Sequence, residues 1–372
     1  MLHKKLFDFL RYASVSAIFL MLITAYYRDV SSVQKAEYTV YESSFFEESM
    51  PIDISARSAV VCDAFSGDVI YSKNPDEKLP MASTTKIMTA LVVIENCDLS
   101  QKVEISDDSV GIEGSSIYLS KGEILTVGEL LYGLLLESGN DAAHALALHT
   151  GKTAEGFCDM MNKKASELSL SSTNFENPHG LSAENHYTTA RELAAITSSA
   201  MKNDTFRKIV STEKYHIPER ENCRERYFSN HNRLLKSMDD CIGVKSGYTK
   251  NSGRCLVSAT DDGTSTFVVV TLNDRNDFAD HKQLHSLAQN SFKSILVAKK
   301  DELKFSLAEK EISNRDDIYI TVKKDFEGPI SMNVTAGKNS PSDVFGTVKI
   351  NFDGLSKSFH LYTYDSITQQ EE

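Results

Sequence analysis

Apolar residues at Ile87, Met88, Leu91, Val92 and Ile94 recur at the spacing of one buried helical face. The same period runs through Val127 to Leu136, Ala142 to Leu148, Ala154 to Leu168 and Thr189 to Met201, so residues 98–210 are predicted to be mostly helical, with loops. Two other stretches carry strand signals. Ser58-Ala59-Val60-Val61-Cys62-Asp63, the turn Ser66-Gly67-Asp68 and Val69-Ile70-Tyr71-Ser72 predict a hairpin before the first helix. Between Lys208 and Asp274 strands return, most clearly at Cys255 to Ala259 and Phe267 to Thr271, with Asp261-Asp262-Gly263 as the turn between them. Phe278 to Lys299 is amphipathic and predicts a helix packed on that sheet.

The expected architecture is α/β: an antiparallel sheet whose helical block is inserted between strands, over residues 56–300. Beyond it the pattern changes. Ile318 to Val322, Ser331 to Val334, Phe345 to Ile350 and Phe359 to Tyr362 alternate like half-buried strands, separated by Gly, Pro, Asn and Asp. They predict a small all-β module over residues 304–366.

The N-terminus has its own pattern. His3, Lys4, Lys5 and Arg11 precede a nearly unbroken apolar run from Ala13 to Ala25. That run has signal-peptide length and is short for a free-standing membrane helix. Residues 1–32 are therefore expected to direct export as a signal peptide, with an uncleaved membrane anchor as the alternative. Either way the body would work outside the cytoplasm. Residues 33–55, acidic and irregular, read as a tether.

At 372 residues the chain can hold two domains plus a tail. With 41% hydrophobic and 25% charged residues it is an ordinary globular protein. Its net charge of -12 and the lack of a basic cluster argue against a nucleic-acid partner. The six cysteines show no C-x-x-C spacing and the histidines no metal-ligand pattern, so neither metal nor cofactor is expected. The even cysteine count permits disulfides without assigning them.

The candidate chemistry begins at Ser83-Thr84-Thr85-Lys86, where the first helical pattern starts. Residues three apart share a helix face, so the Ser83 hydroxyl and the Lys86 amine can meet. A serine hydroxyl needs a neighbouring base to become a nucleophile, and a buried lysine held neutral can be that base. Alone, such a tetrad occurs in many helices. Two further stretches change its weight. Ser138-Gly139-Asn140 follows an apolar run, and Lys245-Ser246-Gly247-Tyr248-Thr249 follows Ile242-Gly243-Val244. Ser-x-x-Lys, Ser-Asp-Asn and Lys-Thr-Gly, in this order, mark β-lactamases and penicillin-binding proteins. Here Gly139 stands for the Asp and Ser246 for the Thr.

With these motifs, Ser138 to Ala143, Asn177-Pro178-His179-Gly180-Leu181 and Gly253 to Thr260, the chain resembles the serine D-alanyl-D-alanine carboxypeptidases, the low-molecular-mass penicillin-binding proteins. The resemblance runs from about Ser58 to the C-terminus. It implies a β-lactamase/transpeptidase-like catalytic domain followed by a β-rich domain. It also implies removal of the terminal D-alanine from peptidoglycan stem pentapeptides, with β-lactam antibiotics as inhibitors. By resemblance, Ser83 attacks, Lys86 takes its proton, and Ser138 relays a proton to the leaving amine. Asn140 holds the substrate amide or Lys86. Lys245 offers charge to the substrate carboxylate, with Ser246 and Thr249 as hydroxyl donors. The N–H groups of Ser83 and Tyr248 make the oxyanion hole, and Gly247 lies between Ser246 and Tyr248. Family members often end in an amphipathic membrane helix, which the sequence after Asp365 cannot form.

Plainer readings stand beside these. Ser138-Gly139-Asn140 alone is a turn after a helix, Lys245 alone a solvated strand-end charge, and Asn177 to Gly180 a tight turn, with no catalytic role expected for His179. His144, His149 and His186 read as surface or packing residues. Arg254 is a weaker candidate for binding a carboxylate. Other functions also use the trio. A D,D-endopeptidase would use the same residues. A class A β-lactamase would need a Glu-x-x-x-Asn loop, which is absent between Asn140 and Lys245. A non-enzymatic β-lactam-sensing or wall-binding module would not need an intact set.

Overall fold

The computed structural model describes residues 52–307, 310–336 and 344–363. Residues 1–32, expected to direct export, and the first part of the expected tether lie outside them. Among the described residues no helix is long and apolar enough to cross a membrane.

The chain opens with the expected hairpin, β1 (Ser58–Asp63) and β2 (Val69–Lys73), followed by a 3₁₀ turn, Ala82–Thr85, and helix α1 (Lys86–Asn96). A small ribbon, β3 (Lys102–Glu104) with β4 (Ile124–Thr126), precedes the helical block. The block contains α2 (Val127–Leu136), α3 (Asn140–Gly151), α4 (Ala154–Glu167), α5 (Ala190–Met201) and α6 (Asp204–Ser211). Local chemistry sets several of these starts. Thr126 and Glu129 form a reciprocal capping box on α2, and Thr153, Thr189 and Asn203 each cap the helix that follows. Strand signals were expected from Lys208, but that residue lies inside α6. Its Asn203 cap and its apolar face, Phe206, Ile209 and Val210, outweigh the short β-rich run.

After the ribbon β5 (Lys214–Ile217) and β6 (Arg226–Ser229), the sheet is completed by β7 (Cys241–Thr249), β8 (Gly253–Asp261) and β9 (Thr266–Leu272). Its order is β2-β1-β9-β8-β7, antiparallel throughout. The first hairpin therefore pairs with the last strand, and β7 forms one edge. The pleat separates two cores. Val60, Val268 and Val270 face the helical block, whereas Ala59, Val61, Phe267 and Val269 face the other side with Leu284, Ala288 and Phe292. Ile54 joins this second core, so the stretch read as the end of a tether is packed.

Helix α7 (Asp277–Ser291) covers the second face, but it is shorter than expected. At Phe292 the chain becomes strand β10 (Phe292–Ala298). This β-branched and aromatic segment finds an antiparallel partner in β13 (Ile318–Lys323), a long-range contact that its own periodicity does not reveal. Between them lie β11 (Phe305–Leu307) and β12 (Lys310–Ser313), which were not expected. With β14 (Ser331–Ala336), β15 (Val344–Phe352) and β16 (Leu355–Thr363) they form a second sheet in the order β11-β12-β16-β15-β14. Its core is separate, built on Ile312, Ile320, Val348, Ile350 and Leu361. No disulfide joins the six cysteines.

Candidate active site

Three elements converge on the nucleophile candidate. Ser83 sits in the 3₁₀ turn that leads into α1, after Ala82 in a left-handed conformation with φ +48°. One turn on, Lys86 begins α1 with its side chain wholly buried. Ser138, also left-handed at φ +63°, ends the link from α2, and Asn140 opens α3. Lys245 to Thr249 form the end of edge strand β7.

The amine of Lys86 is the hub. Nζ lies 3.0 Å from Ser83 Oγ, 2.7 Å from Asn140 Oδ1 and 2.7 Å from the backbone oxygen of His179. Burial first, then the charge of Lys245, hold its pKa well below the ordinary lysine range, with Asp141 opposing them. Lys245 is also buried, and burial brings it down to about 7; its Nζ donates to the backbone oxygen of Ser246 at 2.7 Å.

The cleft above Ser83 has a volume of about 660 Å³. Ser138, Lys245, Ser246, Gly247 and Tyr248 line it. Thr249 does not. Its hydroxyl lies 2.9 Å from Ser252 Oγ in the turn closing β7 onto β8. Gly247 is required by close approach, because a Cβ there would stand 2.7 Å from Ser83 N.

Sequence reasoning missed part of the site. No catalytic role is expected for His179, and its imidazole is pushed down to about 3 by burial and by Lys86. Its backbone carbonyl, however, holds the Lys86 amine. The turn that places it is built by Asn177, whose Oδ1 accepts from Gly180 N at 2.7 Å and whose Nδ2 donates to Leu181 O at 2.9 Å. The Asn-Pro-His-Gly cluster signalled the turn; nothing local signalled where its carbonyl would point. The far end of the cleft adds His231, Arg233, Asp277 and Phe278 to Arg254. The Arg233 guanidinium lies 4.3 Å over the Phe278 ring, and Arg254 Nη1 is 3.6 Å from Asp277 Oδ1. This end can receive an anion.

Residues 45–276 match the D-alanyl-D-alanine carboxypeptidase family. The chain is 36% identical over 289 residues to the D-alanyl-D-alanine carboxypeptidase DacF of Bacillus subtilis, covering 72% of this chain and 73% of that protein. The crystal structure of the Streptomyces K15 DD-transpeptidase is 34% identical, with a TM-score of 0.60 over 63% of this chain and 97% of that one. Penicillin-binding protein 5 of Haemophilus influenzae shares the fold at 24% identity, with a TM-score of 0.71 over 84% of this chain and 97% of that one.

Proposed function

The chain belongs to the D-alanyl-D-alanine carboxypeptidase family and is a serine-type hydrolase of that class, and we propose that Ser83 and Lys86 carry its chemistry. The substrate is the peptidoglycan stem pentapeptide, and the product is the stem shortened by one D-alanine. The observation that carries this reading is the set of partners around the Lys86 amine. A neutral amine has two protons and one lone pair. Asn140 Oδ1, held by its Lys86 contact, and the His179 carbonyl can only accept, so they take the two protons. The lone pair is left facing Ser83 Oγ, 3.0 Å away.

The Ser83 hydroxyl gives its proton to Lys86 as its oxygen attacks the penultimate carbonyl. The developing oxyanion is met by the N–H groups of Ser83 and Tyr248; one such donor is typically worth about 10²–10³ in kcat. Ser138, on the cleft wall, passes a proton to the leaving D-alanine nitrogen. The Ser83 ester then remains, and water cleaves it to release the shortened stem and regenerate the hydroxyl. Lys245 and Ser246 line the side of the cleft that holds the substrate backbone, and β-lactams acylate the same serine. The set of residues that a D,D-endopeptidase would use is the same; the family match favours the carboxypeptidase over a β-lactamase or a wall-binding module.

Residues 56–300 would form the catalytic domain and residues 304–366 a β-rich companion. The positively flanked apolar segment 13–25 supports export, membrane association through the N-terminus and work on the extracytoplasmic face. The test is intact mass against time with excess penicillin, for the protein and for Ser83→Ala, followed by D-alanine release from a pentapeptide. A lasting adduct absent in the variant is expected. Rapid penicillin turnover without an adduct would point to a β-lactamase, and no adduct in folded protein would sink the reading.

A further inference from the structure

Asp141 follows Asn140 and is 1% exposed. Its carboxylate gathers residues 116–119, the wall segment that continues from the cleft-lining Ser115. Ser116 Oγ donates to Oδ2 at 2.6 Å and Leu119 N to Oδ2 at 3.0 Å. Ile117 N lies 3.0 Å from Oδ1 and 3.1 Å from Oδ2, and Ala142 N donates to Oδ1 at 2.9 Å. Only an acceptor-only group satisfies four donors at once; an amide would turn an N–H toward some of them.

The wall it gathers is joined to the lysine. Ser115, which lines the cleft, accepts from Asn140 N at 2.7 Å, and the Glu113 carbonyl accepts from Asn140 Nδ2 at 2.6 Å. These contacts decide which way the Asn140 amide faces, with Nδ2 toward Glu113 and Oδ1 toward Lys86. Gly139 belongs to the same arrangement, since a Cβ there would stand 2.9 Å from Asp141 Oδ1 and 3.1 Å from Ile117 Cγ2. The residue that replaces the usual Asp of the motif is therefore small because the Asp141 carboxylate occupies that space.

We propose that Asp141 is a positioning residue for acylation: it folds the 115–119 wall against Asn140, and its negative charge acts on the Lys86 amine. The inference rests on the Ser83–Lys86 reading. The other titratable groups acting on that amine are Lys245 from β7 and the imidazoles of His179 and His186, both pushed down chiefly by burial. Among the described residues, Asp141 is the charge that favours the ammonium form of Lys86.

The test is the pH profile of Ser83 acylation by penicillin, followed by intact mass on the full chain, for wild type, Asp141→Asn and Ser116→Ala. For Asp141→Asn the plateau rate is expected to fall about tenfold or more as the wall shifts, and the acid limb to move to lower pH, because an attraction favouring the ammonium is gone. Ser116→Ala keeps the charge, so it should slow acylation without moving the limb. An Asp141→Asn limb that coincides with wild type, or a Ser116→Ala rate equal to wild type, overturns the proposal. If Asp141→Asn does not fold, Ser116→Ala alone decides. Absence of any wild-type adduct would remove the Ser83–Lys86 reading itself; a wild-type adduct with an unmoved limb removes only this inference.

Discussion

Gly180 packs so closely on Ala82 that a Cβ at Gly180 would stand 1.9 Å from the Ala82 carbonyl oxygen and 2.9 Å from Ser83 N. Gly180 also has φ +91°, where an L side chain is strained. A Cβ on Gly247 would reach 2.7 Å from the same nitrogen. The peptide that presents Ser83 is thus closely approached by two glycines.

Gly180→Ala must push that peptide away from its place. A displacement of about 1 Å at a reacting group can cost about a hundredfold in rate, so acylation by penicillin is expected to slow by about that factor. The time course of adduct mass measures it. A wild-type rate would mean that the contact does not position the serine.

Arg254 should matter more for the substrate carboxylate than Lys245. Lys245 is buried, is lowered to about 7 and already donates to Ser246 O, whereas the Arg254 guanidinium is half-exposed at the cleft. Replacing it by Leu removes a charged hydrogen bond of about 1.5–3 kcal/mol, which is roughly tenfold to a hundredfold in kcat/KM. Cleavage of an acyl-D-alanyl-D-alanine acid, which releases D-alanine, is expected to fall relative to cleavage of its C-terminal amide, which releases D-alaninamide. An unchanged acid-to-amide ratio would place carboxylate recognition elsewhere.

Four histidines make the fold sensitive to acid. Burial pushes His179 and His285 to about 3, His186 to about 4, and His281 well below its usual value. His281 and His285 share Ser258 Oγ, each at 2.6 Å, between α7 and the sheet. The folded state resists protonation while the unfolded chain accepts protons near pH 6.5. The stability is therefore whole above pH 6.5 and is lost as pH falls toward the folded values, by about 1.4 kcal/mol per pH unit per histidine. The urea midpoint should stay level from pH 7.5 to 6.5 and drop steeply between pH 6.5 and about 4.5, and less steeply in His281→Gln. A flat midpoint would contradict this account.

The second sheet is tied to the first hairpin through a buried pair. Lys357 Nζ lies 3.0 Å from Asp68 Oδ1 and donates to Ser66 O at 2.5 Å, and both side chains are under 10% exposed. Removing one partner leaves a buried charge, which costs about 3–5 kcal/mol. Lys357→Ala should lower the thermal midpoint of the intact chain while penicillin still acylates Ser83. An unshifted midpoint would show that solvent compensates Asp68.

The sequence by itself determined the helices with strong 3.6-residue periodicity, the central strands and the three motifs. Each is a local signal: a repeat of apolar positions, a cap, or a short run of chemically matched residues. It also placed Ser83 beside Lys86, since residues three apart on a helical turn meet without help from the rest of the chain. Only the tertiary structure decided the rest. Strand β10 exists because β13 pairs with it, and Lys208 is helical because α6 has a cap and an apolar face to bury. The His179 carbonyl, the Asp141 carboxylate and the Arg254–Asp277 pair became part of the site through contacts between residues far apart in the chain. Such contacts leave no periodic trace, because a backbone carbonyl is the same in every residue and a buried carboxylate is marked only by the donors that fold around it.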